Sequence, residues 1–406
     1  MLTTAPISGF SRQDRPVGPG GEADGKTAPG DPAGGDSTSI AATPAPVATA
    51  AITKRRPVRQ HHRAAIDSIT RLVMPEECFF GVFGIALIAL VIATGQVHLV
   101  IARFIADLRF VAIVVGVALV IFVRAYRGAR PGPIGTFGLD RARLRIGAGV
   151  AIRTLREFGP LFACLAIYEA LHDLTPIICP NVRDHLLVAS DHFAFHTDVG
   201  RWLNDHLGSV PVTDVLTACY VSYAFASPIY AGLQYFRGRY REFHDFALAI
   251  TVTAFIGYAG YLLMPAVGPY VYQHSIYADP LPGWHHSAGA VLRAIDQMKG
   301  SARDAFPSLH TAMTTVVLGM MWRDARRLFW TYLPVAVGLY LSTMYLREHY
   351  ATDVVAGFLA GAIALFAAPR INQWWYGRRA LHEIATPMPW TTLPAVTSRE
   401  RARVSL

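Results

Sequence analysis

"FFGVFGIALIALVIATGQV" (residues 79–97) runs nineteen positions without a charged side chain or a proline. A helical membrane span needs about 20 mostly apolar residues, so this stretch is expected to cross a bilayer. Seven more apolar stretches follow, near 110–123, 157–177, 212–236, 243–264, 306–322, 328–346 and 350–368. The expected fold is all-α: a polytopic transmembrane helical bundle of about eight spans, without internal repeats. Composition agrees. The chain is 52% hydrophobic and 16% charged, with a mean hydropathy of +0.32, whereas soluble proteins carry about 25% charged residues.

The net charge of +9 does not indicate nucleic acid. The basic residues are nearly all arginines in short clusters beside apolar runs, as on membrane flanks. Cys78, Cys164, Cys179 and Cys219 form no C-x-x-C pair, which argues against a disulfide framework or a zinc site. Residues 1–60 are rich in Ala, Pro, Gly, Thr and Asp and poor in large apolar side chains. Such a segment cannot bury enough surface to offset its ordering entropy, so a disordered tail is expected. No apolar signal-peptide core lies near Met1, which leaves the first span as the membrane signal. The expected organisation is a tail (1–60), N-terminal transmembrane helices (61–177), a catalytic transmembrane domain (178–368) and a C-terminal tail (369–406).

Positive residues favour the cytoplasmic side. With the N-terminus inside, all but eight of the 37 basic residues lie inside, including the short clusters "RGRYR" (237–241) and "RDARR" (323–327). The eight are Arg103, Arg109, Arg183, Arg201, Arg293, Lys299, Arg303 and Arg347. Both termini are then cytoplasmic. The polar residues of interest gather on the outer face, in the loops 178–211 and 265–305 and at the starts of the sixth and eighth spans.

Two of those starts carry histidines. His349 and Asp353 are four residues apart, one turn along one helix face. A carboxylate there can hold one ring nitrogen and leave the other free; a purely structural His–Asp pair has the same spacing. His310 follows "FPS" (306–308). Pro307 suits a first helical position, the amides after it can face an anion, and Ser308 adds a hydroxyl. The plainer alternative makes Ser308 an N-cap and His310 an interfacial residue.

"PSLH" (307–310), followed by "HYATDVVAG" (349–357), resembles the second and third motifs of the type 2 phosphatidic acid phosphatase superfamily. "DAFPSLH" (304–310) and "MYLREHYATDVVAG" (344–357) are most similar to its inositol phosphorylceramide synthase-like branch. The similarity is strong over 255–365 and faint over 178–240. It implies phosphoryl transfer through a phosphohistidine, with no cofactor or metal. His349 would be the nucleophile, Asp353 its orienting carboxylate, and His310 the acid and then the base. It also implies a phospholipid or lipid phosphate substrate, with an alcohol or water as acceptor, at the outer face of the plasma membrane. Splitting one displacement into two steps through a histidine is a recognised strategy, and the transferring phosphoryl needs positive groups and N–H donors.

Two departures stand out. The Lys-x6-Arg-Pro motif of phosphatase-type members is absent, and "MPAVGPY" (264–270) stands near its place. Thr343 occupies the position of the third-motif arginine. Phosphate binding therefore falls to Arg347 first, then to Ser308, Arg303 and Lys299, with an arginine snorkelling to the interface as the less favoured reading of Arg347. Asp191, His192, His196 and Asp198 invite a metal-cluster reading, but solvated loop residues are favoured. His274, His285 and His286 lie in a loop that could cover the site, and Tyr270, Tyr272 and Trp284 suit an interfacial aromatic belt.

Three alternatives to lipid phosphotransfer remain at this level. One is a lipid phosphate or prenyl diphosphate phosphatase of the same superfamily. Another is a transporter, disfavoured because transporter sites lie near the bilayer midplane. The last is a metal-dependent hydrolase using His310, His349 and Asp353 as ligands.

Overall fold

A computed structural model describes residues 73–95, 108–128, 141–283, 288–299 and 303–376. The expected disordered tail, most of the C-terminal tail, and Trp284, His285 and His286 lie outside the described residues. The described residues are all-helical, without a strand.

The helices are α1 Pro75–Thr94, α2 Leu108–Gly128, α3 Arg141–Ile178, α4 Asp184–Phe195, α5 Val199–Leu207, α6 Val210–Val221, α7 Tyr223–Phe236, α8 Tyr240–Leu263, α9 Pro269–Tyr272, α10 Gly289–Lys299, α11 Leu309–Asp324, α12 Arg326–Tyr345 and α13 Ala351–Tyr376. Seven of the eight expected apolar stretches each overlap one helix, and the stretch at 212–236 overlaps two. Among the described residues, four helical stretches are long and apolar enough to cross a membrane: Pro75–Thr94, Leu144–Ile178, Tyr240–Leu263 and Ala351–Tyr376. The 16 residues of α11 fall short of the roughly 20 that a span needs.

The stretch read as one span at 212–236 is two helices, α6 and α7, meeting at Ser222. The Ser222 hydroxyl donates to the Cys219 carbonyl at 2.6 Å, a local bond that competes with the helical ladder. The segment 178–211, expected as a loop, contains α4 and α5. Asp198 starts α5 by accepting from the Arg201 amide at 3.0 Å, the N-cap role of an aspartate. The local capping chemistry outweighs the stretch's low apolar content.

Exposed side chains on α1, such as Val82, Ile85 and Ile88, suit a lipid-facing helix, whereas α8 is mostly buried and central. Around α8, backbones approach through small residues, the usual device where lipid removes a hydrophobic drive between helices. A Cβ on Gly357 would lie 2.5 Å from the Ser308 carbonyl oxygen, and one on Gly361 would lie 2.7 Å from that of Ala312. A Cβ on Gly260 would meet the Pro307 ring. These contacts hold the start of α11 between α8 and α13. At the same end, Leu187, Ala266, Ala305 and Tyr350 form a small buried cluster.

Candidate active site

Ser308 is the N-cap of α11, with Pro307 just outside the helix rather than at its first position. The buried Ser308 hydroxyl accepts from the Thr311 amide at 3.3 Å, and the Ser308 amide donates to the Asp353 carbonyl at 3.1 Å. The starts of α11 and α13 are thereby joined through the backbone. His310 and His349, 39 residues apart in the chain, consequently face each other: His310 Nδ1 lies 3.2 Å from His349 Nε2.

The surrounding acceptors assign the tautomers. His349 Nδ1 lies 2.8 Å from the Ala305 carbonyl oxygen. A carbonyl only accepts, so Nδ1 carries the proton, and Nε2 of the neutral ring is a lone pair directed at His310. His310 Nδ1 is then the donor in the pair. Its ring is enclosed by Tyr220, stacked at 4.7 Å between centroids, and by Tyr223 at 4.4 Å. These tyrosines flank the α6–α7 break.

Asp353 is fully buried. Its Oδ2 accepts from the Tyr350 amide at 3.0 Å and lies 3.6 Å from His349 Nδ1. The hydrogen bond that orients the imidazole therefore comes from Ala305. Asp353 contributes a nearby negative charge and a cap on its own helix.

The residues expected to bind phosphate are less convergent. The Arg347 guanidinium is buried and donates to Asn204 Oδ1 at 2.8 Å and to the carbonyls of Tyr277 and Asp279 at 3.1 and 2.8 Å. Burial lowers its pKa. Arg303 donates to the carbonyls of Pro176 and Cys179, closing the end of α3. Ser308 is occupied as a cap. Lys299 ends α10, and its side chain lies outside the described residues. The structure thus brings His310, His349 and Asp353 together, while Arg303 holds backbone carbonyls and Arg347 holds backbone carbonyls and Asn204.

The stretch with the metal-cluster reading is also resolved. Asp191 accepts from the amides of Ala351 and Thr352, each at 2.8 Å. Asp198 accepts from the Tyr277 hydroxyl at 2.6 Å. His192 and His196 are exposed. Among the described residues no group of three His, Cys, Asp or Glu side chains is placed to hold a metal.

Sequence reasoning missed Tyr220, Tyr223, Asp184 and the Ala305 carbonyl, and it read Asp191 as a loop acid rather than as a cap on α13. The two tyrosines lie on either side of the α6–α7 break, so no single helical spacing marks them. A backbone carbonyl carries no sequence signal.

Residues 186–367 match the family model described as the PAP2 superfamily. The match supports the superfamily that the paired motifs resemble, without separating its branches. It supports a phosphatase- or phosphotransferase-type lipid enzyme as the general kind of reaction. No curated protein and no solved structure matches the chain.

Proposed function

We propose that this chain is an integral membrane lipid phosphotransferase of the inositolphosphotransferase type, with the site on the extracytoplasmic face. The observation that carries the reading is the 3.2 Å approach of His310 Nδ1 to His349 Nε2, with the far side of His349 held by a carbonyl. That arrangement offers a lone pair and a proton side by side.

In the proposed first step, His349 Nε2 attacks the phosphorus of a phospholipid. A P–N bond forms and the P–O bond to the lipid alcohol breaks, while His310, as an imidazolium protonated on both ring nitrogens, gives its Nδ1 proton to the leaving oxygen and becomes neutral. In the second step an acceptor hydroxyl attacks the phosphorus, the P–N bond breaks, and His310 Nδ1 takes the acceptor's proton. Both histidines end as they began. The substrate has to part the two rings, since the phosphoryl group must lie between the nucleophile and the leaving oxygen. Asp353 stabilises the positive charge that develops on His349 when it attacks. The branch-like forms "DAFPSLH" and "MPAVGPY" support transfer to an alcohol over hydrolysis.

The test uses purified protein in detergent with headgroup-labelled phosphatidylinositol, phosphatidic acid or prenyl diphosphate, each with and without a ceramide-like acceptor, in the presence of EDTA. The expected result is transfer of labelled inositol phosphate to the lipid alcohol, with acid-labile label on His349. Release of phosphate to water alone would make the protein a lipid phosphatase. No turnover and no labelled protein with any donor would overturn the reading.

A further inference from the structure

We infer that α4 is the positioning element of the site, with Asp184 and Asp191 setting where His349 sits. The inference rests on the proposed role of His349 as nucleophile. Asp184 and Asp191 are seven residues apart, about two turns, and both are buried. They reach the histidine by two routes.

The first route runs through the start of α13. Both oxygens of Asp191 are engaged, Oδ2 by the Ala351 amide and Oδ1 by the Thr352 amide, each at 2.8 Å. The Thr352 hydroxyl adds a bond of 2.5 Å to Oδ1. The first amides of a helix have no partner within it, and a carboxylate there complements the helix dipole. Aspartate caps are usually local, yet this one comes from 160 residues upstream. It therefore fixes the first turn of α13 against α4, two residues beyond His349.

The second route ends on the imidazole. Asp184 accepts from the amides of Val267 and Gly268 at 3.1 and 2.9 Å, and from the Tyr350 hydroxyl at 3.1 Å. Burial raises its pKa against the pull of these hydrogen bonds. The neighbouring Ala266 carbonyl accepts from the Ala305 amide at 3.0 Å, and the Ala305 carbonyl accepts from His349 Nδ1 at 2.8 Å. Gly268, at φ +83°, comes so near the Glu348 carbonyl that a Cβ would lie 2.6 Å from its oxygen. "MPAVGPY" is thus a bracket between α4 and the catalytic loop. In both routes the acids receive N–H and O–H donors, as structural carboxylates do.

The test uses the full chain in detergent. Asp191→Asn keeps the shape but sets an amide NH2 against a backbone N–H. Misplacement of about 1 Å costs on the order of 10²-fold in rate. The expected result is a kcat per folded protein lower by about 10–100-fold, with KM within about twofold. Nitrogen-15 histidine spectra should show His349 losing its single Nδ1–H tautomer. Asp191→Glu should recover part of the kcat, and His192→Ala, exposed on the same helix, should match the wild type. A wild-type kcat in Asp191→Asn, or a loss accounted for by the unfolded fraction, overturns the inference. Should Asp191→Asn fail to fold, Thr352→Val removes only the hydroxyl contact. A lower kcat at unchanged KM then supports positioning, and an unchanged kcat overturns it. If the wild type turns over no donor, the proposed function fails separately. The spectra still decide the inference, because an unchanged Nδ1–H tautomer in the variant rejects it.

Discussion

At the scale of single residues, the two histidines are not interchangeable. His349→Ala removes the proposed nucleophile, so turnover and labelled phosphoenzyme should vanish together. His310→Ala removes only the proposed proton carrier. With a nitrophenyl phosphate donor the leaving group needs no proton, so phosphohistidine should form on His349 and persist in a labelling time course. Label that accumulates in His349→Ala but not in His310→Ala would reverse the roles. Asp353→Asn should slow turnover by less than the about 10⁴-fold seen when a directly bonded triad carboxylate is neutralised, because Ala305 already holds the tautomer. Arg347→Gln separates a structural arginine from a phosphate ligand. It leaves acceptors on Asn204, Tyr277 and Asp279 unsatisfied, at about 1–3 kcal/mol for such a buried group. A lower melting temperature with an unchanged KM is expected, and a raised KM at full stability would restore Arg347 to the phosphate.

At the scale of elements, the site depends on how closely α11 and α13 approach. The Gly357 and Gly361 positions leave no room for a side chain. Gly357→Val should push Ser308 and Thr311 away from α13 and cost about 1–3 kcal/mol, as overpacking does. It should also part His310 from His349, so activity should fall further than the folded fraction measured by thermal melting. Equal falls would show that the close approach serves stability alone. The α6–α7 break works differently: the residues flanking it, Tyr220 and Tyr223, both meet the His310 imidazole, and Tyr223→Phe should retain most activity because the ring contact survives.

At the scale of the whole molecule, the arginine clusters predict sidedness. In a cysteine-free background, Ser275→Cys should react with an impermeant thiol reagent added from outside, and Arg237→Cys should react only after the membrane is opened. The reverse pattern would put the site on the cytoplasmic face. Deleting residues 1–50 while keeping the basic residues Lys54–Arg59 should leave insertion and activity near wild type, since that stretch has too little apolar surface to support a core. Loss of either would assign the tail a targeting or structural role.

The sequence by itself determined that the chain is helical and lipid-facing, because continuous apolar stretches and sparse charge follow from composition alone. It also singled out His310, His349 and Asp353, since a polar residue at a helix start leaves a local pattern of spacing. Only the tertiary structure decided which group orients His349. Periodicity pointed to Asp353, four residues on, but the hydrogen bond goes to a carbonyl 44 residues back, and backbone atoms are identical at every position of a sequence. The same limit hid Asp191, whose partners lie 160 residues away. Read locally, it is an acid among histidines. Only the folded chain carries it to the start of α13, where it accepts from the Ala351 and Thr352 amides.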